Sequence, residues 1–319
     1  MRKSRKILLG LALVLLVALI GGLVVYQRAA QTPQTMLLLP EGDLLLYGNL
    51  KPAHLFGLGK TTQPSPSNDP EYQDFVKQTG FQFERDLDEV AMSQRAPGSD
   101  STDSSEIFVA RFDQQRLIAW LQKLSNGSER YADKVIYSIP HEGHTVRVAI
   151  LSPNRVAVTN IASAEPMHSI IDKSRNPSLA GKGPYLLENY HSRVPVASLA
   201  WLVYRTPANA SPQLPGGLSF DFLQNTVTVG SLRYTGSLQL TAEIFASSEA
   251  AATNVAESLS TFLSLYRGVA QTIGAKGTDP DVKAAIDSIR IGHEGDRAIV
   301  NATIPPGFLQ KAIADAGSR

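Results

Sequence analysis

The sequence predicts an α+β protein: an N-terminal transmembrane helix followed by two similar modules, each an antiparallel sheet with helices packed on one face. Three observations carry this expectation. Residues Ile7–Tyr26 form an apolar run without a single charge. Beyond it, short strand-like segments alternate with capped amphipathic stretches. The order of those segments in the first half then recurs in the second.

At about 1.5 Å rise per residue, the run ILLGLALVLLVALIGGLVVY makes a helix about 30 Å long, the thickness of a hydrocarbon core. Arg2, Lys3, Arg5 and Lys6 precede it and only Arg28 follows closely. The positive-inside rule then sets the N-terminus in the cytoplasm and the C-terminal domain in the periplasm or outside the cell. A cleaved signal peptide is the rival, but Tyr26, Gln27 and Arg28 before Ala29 offer no small-x-small site. The expected protein is therefore a single-pass, signal-anchored protein of the inner, cytoplasmic membrane. Its expected divisions are a basic region 1–6, the anchor 7–26, a linker 27–35, a first module 36–175, a linker 176–189 and a second module 190–319.

In the first module, Leu44–Tyr47 reads as a buried strand entered through a turn at Glu41-Gly42-Asp43. Asp69-Pro70-Glu71 is a helix start, with Asp at the cap and Pro in the first turn, and Gly80 is the stop. Leu87–Met92 and Ile107–Phe112 read as strands. Asp113 then caps a helix to Leu124 whose Leu117, Trp120, Leu121 and Leu124 make one apolar face. Val135–Ile139, Val146–Leu151 and Arg155–Thr159 form a meander, and Ser163 caps a helix to Lys173. In the second module Ala197–Arg205 is a strand, Leu218–Gln224 a short helical stretch, and Thr226–Tyr234 with Leu238–Ala246 a hairpin. Ser247 or Ser248 caps the longest helix, to Tyr266. Asp287–Gly292 and Ala298–Ile304 make a last hairpin, and Pro306 opens a terminal helix.

Beyond the anchor the chain carries a small acidic excess, which excludes a nucleic-acid-binding role, since such a domain needs a basic excess. There is no cysteine, so no disulfide or thiolate metal site. No P-loop, dinucleotide fingerprint or nucleophile elbow occurs. The sharpest constellation is His141-Glu142-Gly143-His144, echoed by His293-Glu294-Gly295-Asp296. If the two turns met, His141, His144 and His293 would be candidate zinc ligands. Against this, Glu-Gly is an ordinary hairpin turn, and a helical zinc motif needs histidines four apart, not three. Asp86, Asp88 and Glu89 form an acidic cluster without the glycine and ligand spacing of a calcium loop. His54, His168 and His191 stand alone. No catalytic residue, metal or cofactor is expected.

The stretch Leu39-Pro-Glu-Gly-Asp-Leu-Leu-Leu-Tyr-Gly-Asn-Leu50 resembles the opening of a group of uncharacterised bacterial membrane-anchored envelope proteins, a domain of unknown function. Gly80-Phe-Gln-Phe-Glu-Arg-Asp-Leu-Asp-Glu-Val90 and Arg155–Thr159 are similar to that group too. The resemblance implies envelope location and fold, and no activity. The expected function is a membrane-tethered, extracytoplasmic binding or scaffolding protein whose partners are the bilayer, through residues 7–26, and an envelope protein. The alternative is a membrane-anchored hydrolase or metal-dependent enzyme with its site around His141, His144 and His293.

Overall fold

The run Leu44-Leu45-Leu46-Tyr47 is apolar on both faces of a strand, the pattern of a central position in a sheet covered on both sides. That is where it lies. The structure, a computed structural model, describes residues 31–52, 69–95, 103–208, 220–273, 280–305 and 307. Among these residues, twelve strands form one continuous antiparallel sheet. They are β1 (Leu44–Asn49), β2 (Leu87–Gln94), β3 (Ser104–Ala110), β4 (Gly127–Tyr131), β5 (Lys134–His141), β6 (His144–Ser152), β7 (Arg155–Thr159), β8 (Ala200–Thr206), β9 (Thr226–Tyr234), β10 (Leu238–Phe245), β11 (Arg290–Glu294) and β12 (Arg297–Ile304). Across the sheet their order is β11-β12-β10-β9-β8-β1-β2-β3-β7-β6-β5-β4. The halves of the chain meet at β1 and β8, where Leu45 lies opposite Val203 and Tyr47 opposite Trp201.

Helices cover both faces. On one lie α1 (Gln34–Leu38), α5 (Glu165–Arg175) and α6 (Tyr185–Tyr190). Their Met36, Met167, Ile170, Ile171, Leu186 and Leu187 close over Leu45, Ile107, Ala157 and Val203 to make the main core. Strand alternation puts Phe108, Val148, Val158 and Ile244 on the other face. There α2 (Pro70–Thr79), α3 (Phe83–Asp86) and α4 (Gln114–Leu124) cover one end. The long α7 (Glu249–Ile273) and α8 (Pro280–Ser288) cover the other, packing Val255 and Ala256 on Ile244 and Ala298.

The expected fold class is corrected on three counts. There are not two separate sheets but one, because β1 and β8, each an edge strand within its own half, satisfy each other's backbone. Helices occupy both faces rather than one. And the expected span Ile7–Tyr26, with its flank Arg2, Lys3, Arg5 and Lys6, lies outside the described residues, among which no helix is long and apolar enough to cross a membrane. The longest, α7, is amphipathic: Ala252, Val255 and Ala256 are buried while Glu249, Asn254 and Glu257 face water. The transmembrane, single-pass and signal-anchor description, and the inner-membrane location drawn from it, are withdrawn. The stretch expected as a linker, 176–189, is a 3₁₀ turn (Pro177–Ala180) followed by α6, whose Leu186 and Leu187 are core residues. The terminal helix expected from Pro306 lies outside the described residues.

Candidate functional site

The sequence-predicted histidines do not meet. His141 and His144 pair across the β5–β6 hairpin, exposed, with Glu142 and Gly143 as the turn at φ 48° and 81°. Two positive φ angles are what a tight two-residue hairpin loop demands. His293 sits on β11, at the opposite edge of the sheet, on the order of 40 Å from β6 at about 4.8 Å per strand. The two His-Glu-Gly motifs are not even equivalent in register. In the second, His293 and Glu294 both lie on the strand and Gly295-Asp296 make the turn, a shift of one residue. Among the described residues no group of three His, Asp or Glu side chains is placed to hold a metal ion.

The other polar candidates have structural partners. Asp86 is buried beside Arg85 and accepts from the Gln82 backbone N–H at 3.0 Å and from Arg85 Nε at 2.9 Å. Burial pushes its pKa up, but the hydrogen bonds from Arg85 and Gln82 outweigh it and hold the carboxyl below its ordinary range. Glu89 pairs with Lys51 at 2.8 Å, and Asp88 faces Arg111 at 3.8 Å. His168 stacks on Tyr131 with ring centres 3.9 Å apart and contacts Glu129 at 2.9 Å, tying α5 to β4. His191 is half-buried, its pKa lowered by burial. His54 lies outside the described residues.

What the sequence reading missed is a groove. The apolar face of α4 does not seal against the sheet. Between α2, α3, α4 and strands β3, β5, β6 and β7 lies a cavity of about 390 Å³. One wall is an aromatic cluster in which Phe75 meets Trp120 edge-on at 4.9 Å and Phe81 meets Phe83 edge-on at 5.0 Å. Phe108 adjoins Phe83 at 6.4 Å. The floor is Val146, Val148, Val156 and Val158, and the rim carries Phe83 and Leu124, 41% and 39% exposed. Polar groups are scarce. Thr79 donates its hydroxyl to the Phe75 carbonyl at 2.7 Å, leaving Glu71 and His141 at the mouth. The signal was present in the sequence as Phe75, Phe81, Phe83, Phe108, Phe112 and Trp120, a density of rings well above what one small core consumes. Nothing local says that rings from four separate elements converge.

No protein family and no curated protein matches this chain. Among solved structures it is similar to TP0453. The match to crystal form IV of that protein has a TM-score of 0.47 and 14% identity, and covers 88% of this chain and 96% of that one. The match to crystal form I has a TM-score of 0.46 and 14% identity, over 91% and 100% of the two chains. At that distance the likeness carries no argument about what this chain does.

Proposed function

We propose that this protein is a binding protein, not an enzyme, and that its ligand is an apolar chain or small apolar group held in the aromatic groove. The observation that supports this reading is the groove's lining: an aromatic wall and a valine floor with no free polar group inside to orient a reaction. Its volume suits a short alkyl chain. Burying on the order of eight methylenes at about 0.8 kcal/mol each yields about 6 kcal/mol before association costs, so binding can be no tighter than about tens of micromolar. The exposed Phe83 and Leu124 at the rim extend the apolar path to the surface.

The test is titration of the full chain with 1-decanol, a neutral probe that carries no charge to other surfaces. Trp120 lines the groove, so its emission should shift on binding, and Trp120→Phe should remove that response. Leu124→Glu, at the exposed rim, should weaken decanol binding about tenfold, the cost of about 1.4 kcal/mol, without unfolding the protein. Absence of saturable decanol binding, or equal binding by the Leu124→Glu variant, would refute the reading.

A further inference from the structure

Three buried side-chain polar atoms lack a hydrogen-bond partner among the described residues: Thr35 Oγ1, Arg155 Nε and Arg267 Nε. Thr35 and Arg155 line the same cavity, of about 670 Å³, on the face of the sheet opposite the aromatic groove. Leaving a buried polar atom without a partner is costly, so natural proteins seldom leave two in one wall without use.

The cavity is built from sequence-distant pieces. Pairing puts Arg155 of β7, Val109 of β3, Glu89 of β2 and Asn49 of β1 in one row across adjacent strands. Strand alternation turns that row toward the α1 side. Glu89 is already neutralised: Lys51 Nζ lies 2.8 Å from its carboxylate, and the Tyr47 hydroxyl faces it. Arg155 has no such partner. It forms no ion pair among the described residues, and its row neighbour Val109 offers it nothing. With Lys51 and Glu89 cancelling, the cavity carries one uncompensated positive charge. An apolar wall completes it: Tyr47 and Trp201, ring centres 5.6 Å apart, with Val194 and Pro195 on the loop that leads into β8. That loop holds Ala197 at φ 62°, a left-handed conformation that costs a non-glycine residue energy and occurs where a site is shaped.

We propose that this cavity is a second binding site, separate from the aromatic groove, for a small monocarboxylate with an apolar or aromatic body. The guanidinium of Arg155 supplies the charge and donors for the carboxylate, the Thr35 hydroxyl a further donor, and the Tyr47–Trp201 wall the contact for the body. A single net charge matches a carboxylate better than a phosphate dianion, which would leave one negative charge unpaired in a half-buried site.

Calorimetric titration of the full chain with sodium benzoate, benzyl alcohol and inorganic phosphate tests this. Saturable benzoate binding is expected, at least tenfold tighter than either comparison ligand. Arg155→Gln should abolish it while leaving decanol binding unchanged. Thr35→Val gives the sharper reading. It removes an orphaned hydroxyl, so the unliganded protein should melt no lower than the parent, yet benzoate should bind at least threefold more weakly. No benzoate binding, equal binding by Arg155→Gln, or benzyl alcohol binding as tightly as benzoate would overturn the proposal. Phosphate binding more tightly than benzoate would overturn the monocarboxylate assignment.

Discussion

Ala197, at φ 62°, occupies a backbone region where a Cβ crowds the neighbouring carbonyl, whereas glycine enters it freely. Ala197→Gly should therefore stabilise the protein by about 1 kcal/mol, read as a higher urea midpoint at unchanged slope. A lower midpoint would show that the left-handed turn costs nothing here. Glu106 is a second strained residue. It sits on β3 between Met92 and Val158, and burial raises its carboxyl pKa. A folded pKa above the unfolded one penalises folding once the group must ionise. The penalty is absent below the unfolded pKa and complete above the folded one. Glu106→Gln should then raise the melting temperature at pH 7, and the gain should shrink as pH falls through the carboxylate range. A gain that persists at pH 3 would assign it to something other than charge burial. Neither residue was legible in the sequence, since left-handed backbone at an alanine has no composition signal and burial of Glu106 depends on two strands distant in the chain. The same holds for Thr35 and Arg155, whose lack of partners is a property of the assembled cavity. The histidine turns misled for the opposite reason: a local motif was visible twice, but one-residue register and strand order decide where each ends up.

Helix ends were the most legible elements, because a cap is a local bargain between one side chain and the next backbone amides. Asp69 accepts from Glu71 N–H, Pro70 follows it, and Gly80 closes the helix at φ 74°. Asp113 accepts from both Gln115 and Arg116 N–H, at 2.9 and 3.1 Å. Asp113→Ala should cost about 1 kcal/mol and also loosen the groove that α4 walls, so decanol affinity should fall with stability. Loss of stability without loss of affinity would mean that α4 does not shape the site. Strand β4 escaped the sequence reading for a physical reason. Its turn to β5 is Ala132-Asp133, both at positive φ, 45° and 67°, with neither the glycine nor the asparagine that marks such a turn. Helix α6 escaped because it lies inside the stretch 176–189, whose composition reads as a linker, whereas its Leu186 and Leu187 are among the most buried side chains. Helix α8 has Pro280 in its first turn, yet the sequence reading places no helix between Tyr266 and the strand expected from Asp287.

At the scale of the whole molecule, the sequence showed two halves and the structure joins them at one seam. The seam is more than backbone pairing. Leu45 and Tyr47 of β1 share a single core with Trp201 and Val203 of β8 and Val229 of β9, under helices that belong to the first half and to the connection between halves. Cutting there would expose two long edges and open the main core, so the halves should not behave as independent domains. Val203 is fully buried, opposite Leu45 and Val229. Val203→Asp would put an unpaired charge between the halves, at a cost of at least about 3 kcal/mol. If the sheet is one cooperative unit, amide exchange in β2, β3 and β7 of the first half should accelerate as much as in β9 and β10, although none of the first three strands contains the mutation. Calorimetry of the unmodified chain should likewise give one transition that decanol and benzoate each shift as a whole. Exchange that quickens only in β8–β12, with β2–β7 still protected, would mean that the seam joins two domains that fold on their own. In that case a ligand in the aromatic groove, confined to the first half, should leave the second half's stability untouched.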